Sequence, residues 1–188
     1  MTCNLTCSNN SLIDISGLCN PADVSSVISS FPYWIQMNIP EYLTIPEEKP
    51  DMEGINSLTV SVDIFRKEVI AVPIGESTSN GVTTLVPNYE GKFTTGRKLI
   101  IEGQLCQKVT YTADELEQSV HGAEFYVPFS AYIVLPKLIP STPTNLDPLN
   151  VDFQVNACIE DISVKMIDAR NILKQVTLLL YAVPNVSI

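Results

Sequence analysis

The chain has 188 residues, 45% of them hydrophobic, and its 21 acidic against 11 basic residues give a net charge of −10. This length and hydrophobic content predict a single domain with a core of its own, with or without an additional arm. The negative charge argues against binding to nucleic acid or to an anionic membrane, because no Lys/Arg cluster offsets it locally. Membrane insertion is not expected either, since no apolar stretch approaches the roughly 20 residues that a spanning helix needs.

Residues 1–20 differ in composition from the rest of the chain. They are rich in Asn, Ser and Thr, contain neither Lys nor Arg, and hold three of the five cysteines. A segment of this kind is expected to be mobile when free and ordered when a neighbouring subunit holds it. We therefore predict a flexible N-terminal connector arm over residues 1–20 and a folded domain over residues 21–188. The start of the arm lacks the basic and apolar regions of a secretory signal, so we expect synthesis in a cytoplasm.

The folded domain is expected to begin with a short helix. Asn20 is a suitable N-cap and Pro21 suits the first helical turn, so the helix should extend to about Ser30. Residues 33–38 then alternate in polarity, as a strand does.

A proline-rich stretch follows. The prolines at positions 40, 46 and 50 each lack a backbone donor, which argues against a long regular element. We expect an extended connection that ends in one helical turn at residues 51–55.

Alternating apolar residues predict strands in most of the remaining chain. The predicted strands are residues 58–65, 68–73, 82–86, 98–111, 123–135, 151–159, 162–167 and 172–183. The central pair is expected to form a hairpin around an acidic insert at residues 112–122. A bulge is expected at Arg66-Lys67 and a tight turn at Asn80-Gly81. Short strands separated by Gly, Pro and Asn predict an all-β fold, a β-sandwich of jelly-roll or Greek-key-like type.

The five cysteines cannot all pair within one chain, because their number is odd. Cys3, Cys7 and Cys19 lie in the predicted arm and are candidates for disulfides between subunits. A zinc site is a weaker interpretation, because the arm lacks the C-x2-C spacing and a fourth ligand. The remaining alternative is that these arm cysteines are reduced thiols without a function. Cys106 and Cys158 fall in predicted strands and are expected to be core thiols, the candidates for a pair inside the domain.

Catalytic signatures are missing from the sequence. His121 is the only histidine, and Asp114, Ser119 and Ser130 are near it in sequence, but no nucleophile turn accompanies them. The acidic residues at positions 41, 47, 48, 51 and 53 and at positions 114, 115 and 117 lack calcium-loop spacing and are read as charged, solvent-facing loops. We therefore expect no enzyme activity, no cofactor, no bound metal and no small-molecule substrate.

Four segments resemble the SPOCS domain family of endospore-forming bacteria. They are residues 39–55, residues 99–114, residues 120–136 and residues 155–183, which together place the resemblance over residues 33–183. The resemblance implies a protein of spore-envelope assembly that is made in the mother-cell cytoplasm and deposited on the endospore surface. It carries over no catalytic residues. Larger members of the family carry a LysM-type peptidoglycan-binding tail, and the residues after the last predicted strand do not resemble one, so we expect a building block rather than an adaptor.

Two hypotheses follow from the resemblance and the arm. In the first, the chain is a self-assembling subunit of a spore coat layer or an appendage fibre. Strand addition and arm disulfides would join its copies, and other coat proteins would be further partners. In the second, it is a docking module that binds a coat morphogenetic protein without polymerising. The first hypothesis would be contradicted if all of residues 1–20 folded back onto their own chain, with no neighbouring copy beside them.

Overall fold

The computed structural model describes residues 13–186, which form two main β-sheets, a small hairpin and one α-helix. The elements in chain order are β1 (Asp14–Ser16), α1 (Pro21–Ser30), β2 (Trp34–Thr44), β3 (Met52–Ile74), β4 (Glu76–Ser79), β5 (Val82–Leu85), β6 (Thr95–Ala113), β7 (Val120–Leu135), a 3-10 helix (Pro148–Asn150), β8 (Phe153–Met166) and β9 (Asn171–Pro184).

The two sheets pack face to face as a sandwich. The first sheet has the strand order β1-β3-β6-β7 and the second has the order β2-β9-β8, while β4 and β5 form a separate hairpin. All pairs are antiparallel except β1 with β3. Contacts between β3 and β8 along one side and between β2 and β7 along the other hold the layers together. The predicted all-β sandwich is confirmed.

The core consists of every second residue of the central strands. On β6, buried residues alternate with half-buried ones, which places one row of side chains against the second sheet. Facing it are buried residues of β9, of which Ile172, Val176, Leu178 and Leu180 are fully enclosed. Each such side chain contributes roughly 1.5–3 kcal/mol to folding. This alternation is the pattern from which the strands were predicted.

The predicted central hairpin is present and longer than expected. β6 and β7 pair continuously from Arg97 opposite Leu135 to Thr112 opposite Val120. The predicted turn at Asn80-Gly81 joins β4 to β5, and both residues have positive φ, +50° and +76°. These are the backbone angles of a two-residue hairpin turn, which Asn and Gly adopt at low cost.

β2 runs further than predicted, through Pro40 to Thr44. The expected break at the prolines is wrong for position 40, where Pro40 lies opposite Gln175 of β9. β2 is the edge strand of its sheet, and an edge tolerates a residue without a backbone donor if that side faces away from the ladder.

The helical turn predicted at residues 51–55 is also wrong. This stretch begins β3, in which Met52, Ile55 and Leu58 are buried. The pairing with β6 shifts register between Met52 and Gly54 and again between Ile55 and Ser57. Each shift inserts one extra residue into β3, so the buried positions 52, 55 and 58 are three residues apart. A spacing of three is also typical of one face of a helix, and this explains the predicted helical turn. The bulge expected at Arg66-Lys67 is found one step earlier, between Ile64 and Arg66.

Helix α1 forms where the sequence predicts it. The Asn20 side chain accepts a hydrogen bond from Ala22 N at 3.2 Å, and Pro21 is the first helical residue. The helix packs against the outer face of the second sheet, where its Val24 forms a small buried cluster with Cys158 and Leu179. One part of that face is therefore buried even though it lies outside the sandwich core.

An ion pair fixes the connection between β7 and β8 to the first sheet. Arg97 Nε donates to Asp147 Oδ1 at 2.7 Å, and Arg97 Nη2 contacts the other carboxylate oxygen. Asp147 also accepts from Leu149 N at 3.0 Å, which caps the 3-10 helix. The Arg97 hydrogen bond and then the Leu149 amide lower the pKa of Asp147 to about 2.

Asp147→Asn is expected to reduce stability at neutral pH but not in strong acid. The folded pKa of Asp147 lies below its ordinary value of 3.8, so its stabilising effect is present above that value. The effect is lost as the pH falls toward about 2. Melting temperatures of wild type and variant should therefore converge between about pH 4 and pH 2. The exposed Asp161→Asn controls for loss of one charge, and an equal convergence there would contradict the assignment.

Candidate functional site

The first described residues add a strand to the chain's own sheet. β1 runs parallel to β3, with Asp14 opposite Ser57 and Ser16 opposite Thr59. Ser16 Oγ donates to Thr59 Oγ1 at 2.9 Å, and Ile15 packs against the core. Part of the predicted arm is thus a strand that is added to the edge of β3 within one chain.

Gly17 turns the chain away from β3 directly after β1. Its φ is +113°, a conformation that residues with a side chain rarely adopt. An added Cβ would also overlap the carbonyl oxygen of Val60. The close approach to β3 therefore requires glycine at this position.

A disulfide attaches the same segment to the second sheet. Cys19 is bonded to Cys158 of β8, with the two Cα atoms 5.3 Å apart. Cys19 N also donates to Ile159 O at 3.0 Å. β1 and this disulfide together join the two sheets along the side where β3 and β8 meet.

This pairing corrects the expectation for three cysteines. Cys19 is bonded within its own chain, so it cannot also form the predicted intersubunit disulfide. Cys106 and Cys158 do not pair with each other; Cys106 is a free, half-buried thiol. The reason is their orientation. Cys106 alternates with inward-facing residues of β6 and so lies on the outer face of the first sheet, whereas Cys158 lies on the outer face of the second, beneath α1.

The free connector arm is corrected in the same way. Residues 13–20 fold onto their own chain through β1 and Cys19, against the expectation for residues 1–20. Cys3 and Cys7 lie outside the described residues 13–186, and their role as intersubunit crosslinks stays a prediction.

The outer edge of β3 is open beyond the end of β1. Among residues 13–186, no strand pairs with this edge after Thr59. A groove of about 490 Å³ lies between this edge and β8. Gly17 and Cys19 form one end of the groove, and its walls include the half-buried apolar residues Val62, Ile64, Val155 and Ala157.

A second depression of about 430 Å³ continues the groove and shares Ile64 and Val155 with it. At its far end, Lys67 of β3 reaches across to the start of β8. Its Nζ lies 3.0 Å from Asp152 Oδ1 and 2.5 Å from Phe153 O. The open groove between β3 and β8 thus extends from the Cys19–Cys158 disulfide to the contacts that Lys67 makes with residues 152 and 153.

The structure brings Ser119 and His121 together, with 2.9 Å between Ser119 Oγ and His121 Nε2. Glu115 Oε2 lies 3.5 Å from Ser119 Oγ, and the His121 ring stacks on Tyr111. The serine therefore lies between the acid and the imidazole. In a Ser-His-acid relay the imidazole lies between the other two, so this contact has the wrong order for nucleophile activation.

Most of the acidic residues noted in the sequence are exposed, and some of them make surface contacts. Asp51 pairs with Arg170 at 2.6 Å, and Glu53 accepts from Gln118 at 2.8 Å. Within the described part of the chain, no group of three or more His, Cys, Asp or Glu side chains is arranged to hold a metal ion. None of its helices is long and apolar enough to cross a membrane.

Glu41 is the exception, because it lies in the core. It is 5% exposed on β2 and lies opposite Lys174 of β9, which is 1% exposed. Lys174 Nζ is 3.1 Å from Glu41 Oε2. Gln107 of β6, 4% exposed, approaches from the first sheet and donates through Nε2 to the same oxygen at 2.6 Å.

Sequence reasoning placed Glu41 in a solvent-facing loop and gave no role to the other two residues. A signal was present, since Glu41 is in phase with the buried residues Ile39 and Leu43. Lys174 is likewise in phase with Ile172 and Val176. Because a proline was expected to end the strand before residue 40, the alternation of Ile39, Glu41 and Leu43 did not predict a buried Glu41.

The central hairpin and the strand after it are the part of the chain that a known family matches. Residues 80–167 match the family model described as SipL, SPOCS domain. These residues are SPOCS-like. The match spans β5, β6, β7, the 3-10 helix and β8, a little under half of the chain. No curated protein and no solved structure matches the chain.

The SPOCS match confirms the resemblance expected from the sequence, over a shorter range than residues 33–183. The matched family is one of endospore-forming bacteria, and the match points to a sporulation-related protein. Of the disulfide partners, Cys158 lies inside the SPOCS-like region and Cys19 lies outside it. The segment that carries β1 and Cys19 therefore lies outside the matched residues.

Proposed function

We propose that this SPOCS-like chain is a structural, self-assembling protein of the spore surface, a subunit of a coat layer or an appendage fibre. The observation that supports this proposal is the open edge of β3 beside an apolar groove. Such an edge presents unpaired backbone groups to which another chain can add a strand. Its partners are other copies and other spore coat proteins, and the proposal assigns it no catalytic or nucleic-acid-binding role.

β1 supplies the geometry for such an addition. It occupies β3 at residues 57–59 in parallel register, and the open part of the edge continues from Ser61 to Lys67. That length is roughly 20 Å, enough for a strand of six or seven residues. In the parallel register the beginning of β1 points toward Met52, away from the open part. A neighbouring copy is therefore the better source of a strand than the same chain.

Residues 1–12 of a neighbouring copy are the proposed donor. They carry no charged side chain, so their approach adds little repulsion to a chain with a net charge of −10. Cys3 and Cys7 are the crosslink candidates that remain now that Cys19 is bonded internally. A head-to-tail contact between this segment and the β3 edge is heterologous and need not close, so it propagates into a fibre.

Removing residues 1–12 is expected to abolish assembly without unfolding the domain. β1 and the Cys19–Cys158 disulfide are retained in this truncated chain. Sedimentation velocity should show multimers for the full chain and monomers for the truncated one, with similar melting temperatures. Cys3→Ser/Cys7→Ser should still assemble in native buffer but lose the multimers that survive SDS without reductant. A wild-type chain that stays monomeric at every concentration would overturn the proposal.

The docking module remains the alternative, and the β4–β5 hairpin favours it. This hairpin and the loop after it expose large apolar side chains, including Val82, Tyr89 and Phe93, beside a cavity of about 700 Å³. A docking module would bind its morphogenetic partner without residues 1–12 and lose binding in Tyr89→Ser/Phe93→Ser. A self-assembling subunit would instead lose its contacts when residues 1–12 are removed and would keep them in Tyr89→Ser/Phe93→Ser.

A further inference from the structure

The polar cluster in the core is costly if it is only an ion pair. Glu41, Gln107 and Lys174 are each at least 95% buried between the two sheets. Glu41 Oε1 and Gln107 Oε1 have no hydrogen-bond partner among residues 13–186, and Lys174 Nζ has only its ion pair with Glu41 Oε2. A buried polar atom without a partner destabilises the fold, and a buried charge without one does so more strongly. Packing alone does not account for two such oxygens beside a buried ion pair.

The cluster places an amine, a carboxamide and a carboxylate in contact. Lys174 Nζ and Gln107 Nε2 both lie within hydrogen-bonding distance of one oxygen, Glu41 Oε2, at 3.1 and 2.6 Å. The amine belongs to the second sheet and the carboxamide to the first, while the carboxylate lies between them. An amine and a carboxamide held against the same carboxylate oxygen need no diffusional encounter in order to react.

Burial also prepares the amine for reaction. Removal from water lowers the pKa of Lys174, and this effect exceeds the opposing influence of Glu41. A desolvated lysine is a better nucleophile, because more of it carries a free electron pair. Glu41 is placed to accept the proton that the amine must release.

We propose that Lys174 and Gln107 form an isopeptide bond that joins the two sheets covalently, with Glu41 transferring the protons. The electron pair of Nζ forms a bond to Cδ of Gln107, and the carbonyl π electrons move to Oε1. Glu41 takes a proton from Nζ and delivers it to Nε2. When the carbonyl re-forms, the Cδ–Nε2 bond breaks and Nε2 leaves as ammonia.

The step is balanced without any other reactant. One C–N bond replaces another, no atom changes oxidation state, and ammonia is the sole by-product. The reaction occurs once in each chain, so slow chemistry suffices. The product replaces a buried charge pair with a neutral amide and a neutral carboxylic acid, or with one carboxylate if the proton leaves with the ammonia. Either outcome leaves fewer charged groups in the core than the unreacted cluster.

Mass spectrometry of the purified full chain tests this inference. After reduction and denaturation, the intact mass should be about 17 Da below the sequence value, the mass of ammonia. Trypsin should yield residues 99–108 joined to residues 171–188, because amide formation removes the cleavage site at Lys174. This joined peptide distinguishes the bond from ammonia loss elsewhere, such as at Asn80-Gly81.

Single substitutions in the cluster test the role proposed for each of its three residues. Lys174→Arg and Gln107→Leu should show the full sequence mass, and Glu41→Gln should form little or no joined peptide while retaining both reacting groups. Glu102→Gln changes an acid of the same type that is half-buried on the other face of β6; it is the matched control and should keep the loss of about 17 Da. A wild-type chain with no joined peptide overturns the proposal. So does a loss of about 18 Da, since water release would join Lys174 to Glu41 instead.

Discussion

Cys19→Ser is expected to lower the melting temperature of the oxidised protein by roughly 10–20 °C. The Cys19–Cys158 disulfide joins residues 139 positions apart. In the chain-entropy account, closing a loop of this size destabilises the unfolded state by about 5 kcal/mol. For a chain of this length, each kcal/mol corresponds to about 2–4 °C. Differential scanning calorimetry without reductant measures the shift.

Cys106→Ser is the matched control, because Cys106 is free and half-buried. It should change the melting temperature by no more than about 2 °C, as expected for a partly exposed substitution. Reductant should lower the melting temperature of wild type to that of Cys19→Ser and leave the variant unchanged. Equal melting temperatures of wild type with and without reductant would show that the bond does not contribute to stability.

The sandwich could be predicted because its strands follow local rules. The alternation in residues 98–111 and 123–135 is regular, and the turn at Asn80-Gly81 depends on two adjacent residues. Helix α1 likewise has its cap and its first-turn proline next to each other in sequence. In these cases the information lies within a few residues, so no tertiary contact has to be known in advance.

The candidate site could not be predicted because its contacts join distant parts of the chain. The cysteine pairing depends on which sheet face each thiol occupies, and that follows only from the packing of α1 over Cys158. Pro40 is compatible with β2 only because that strand lies at an edge. Glu41 was then assigned to a loop, although strand pairing places it against Lys174. Each of these features depends on strand order, which the residue pattern does not contain.

Gly103→Ala is expected to cost about 3 kcal/mol and to lower the melting temperature by roughly 6–12 °C. Gly103 lies on β6, the strand between β3 and β7, opposite Ile64 and Phe129. A Cβ there would lie 2.7 Å from the backbone oxygen of Asp63 and 2.7 Å from the Phe129 ring. The backbone oxygen belongs to the strand ladder next to the β3 bulge, so it cannot move without disturbing the pairing.

Gly122→Ala on the neighbouring β7 is the matched control for Gly103→Ala. Its added Cβ would lie no closer than 3.6 Å to Lys108 Cε, an ordinary contact. This substitution should be neutral or should stabilise by about 0.4–1 kcal/mol, because alanine restricts the unfolded chain. Phe129→Ala relieves one of the two clashes at Gly103, so its combination with Gly103→Ala should cost less than the two single changes added together. Additive costs would mean that the ring moves aside freely, and that the oxygen of Asp63 alone excludes a side chain from this position.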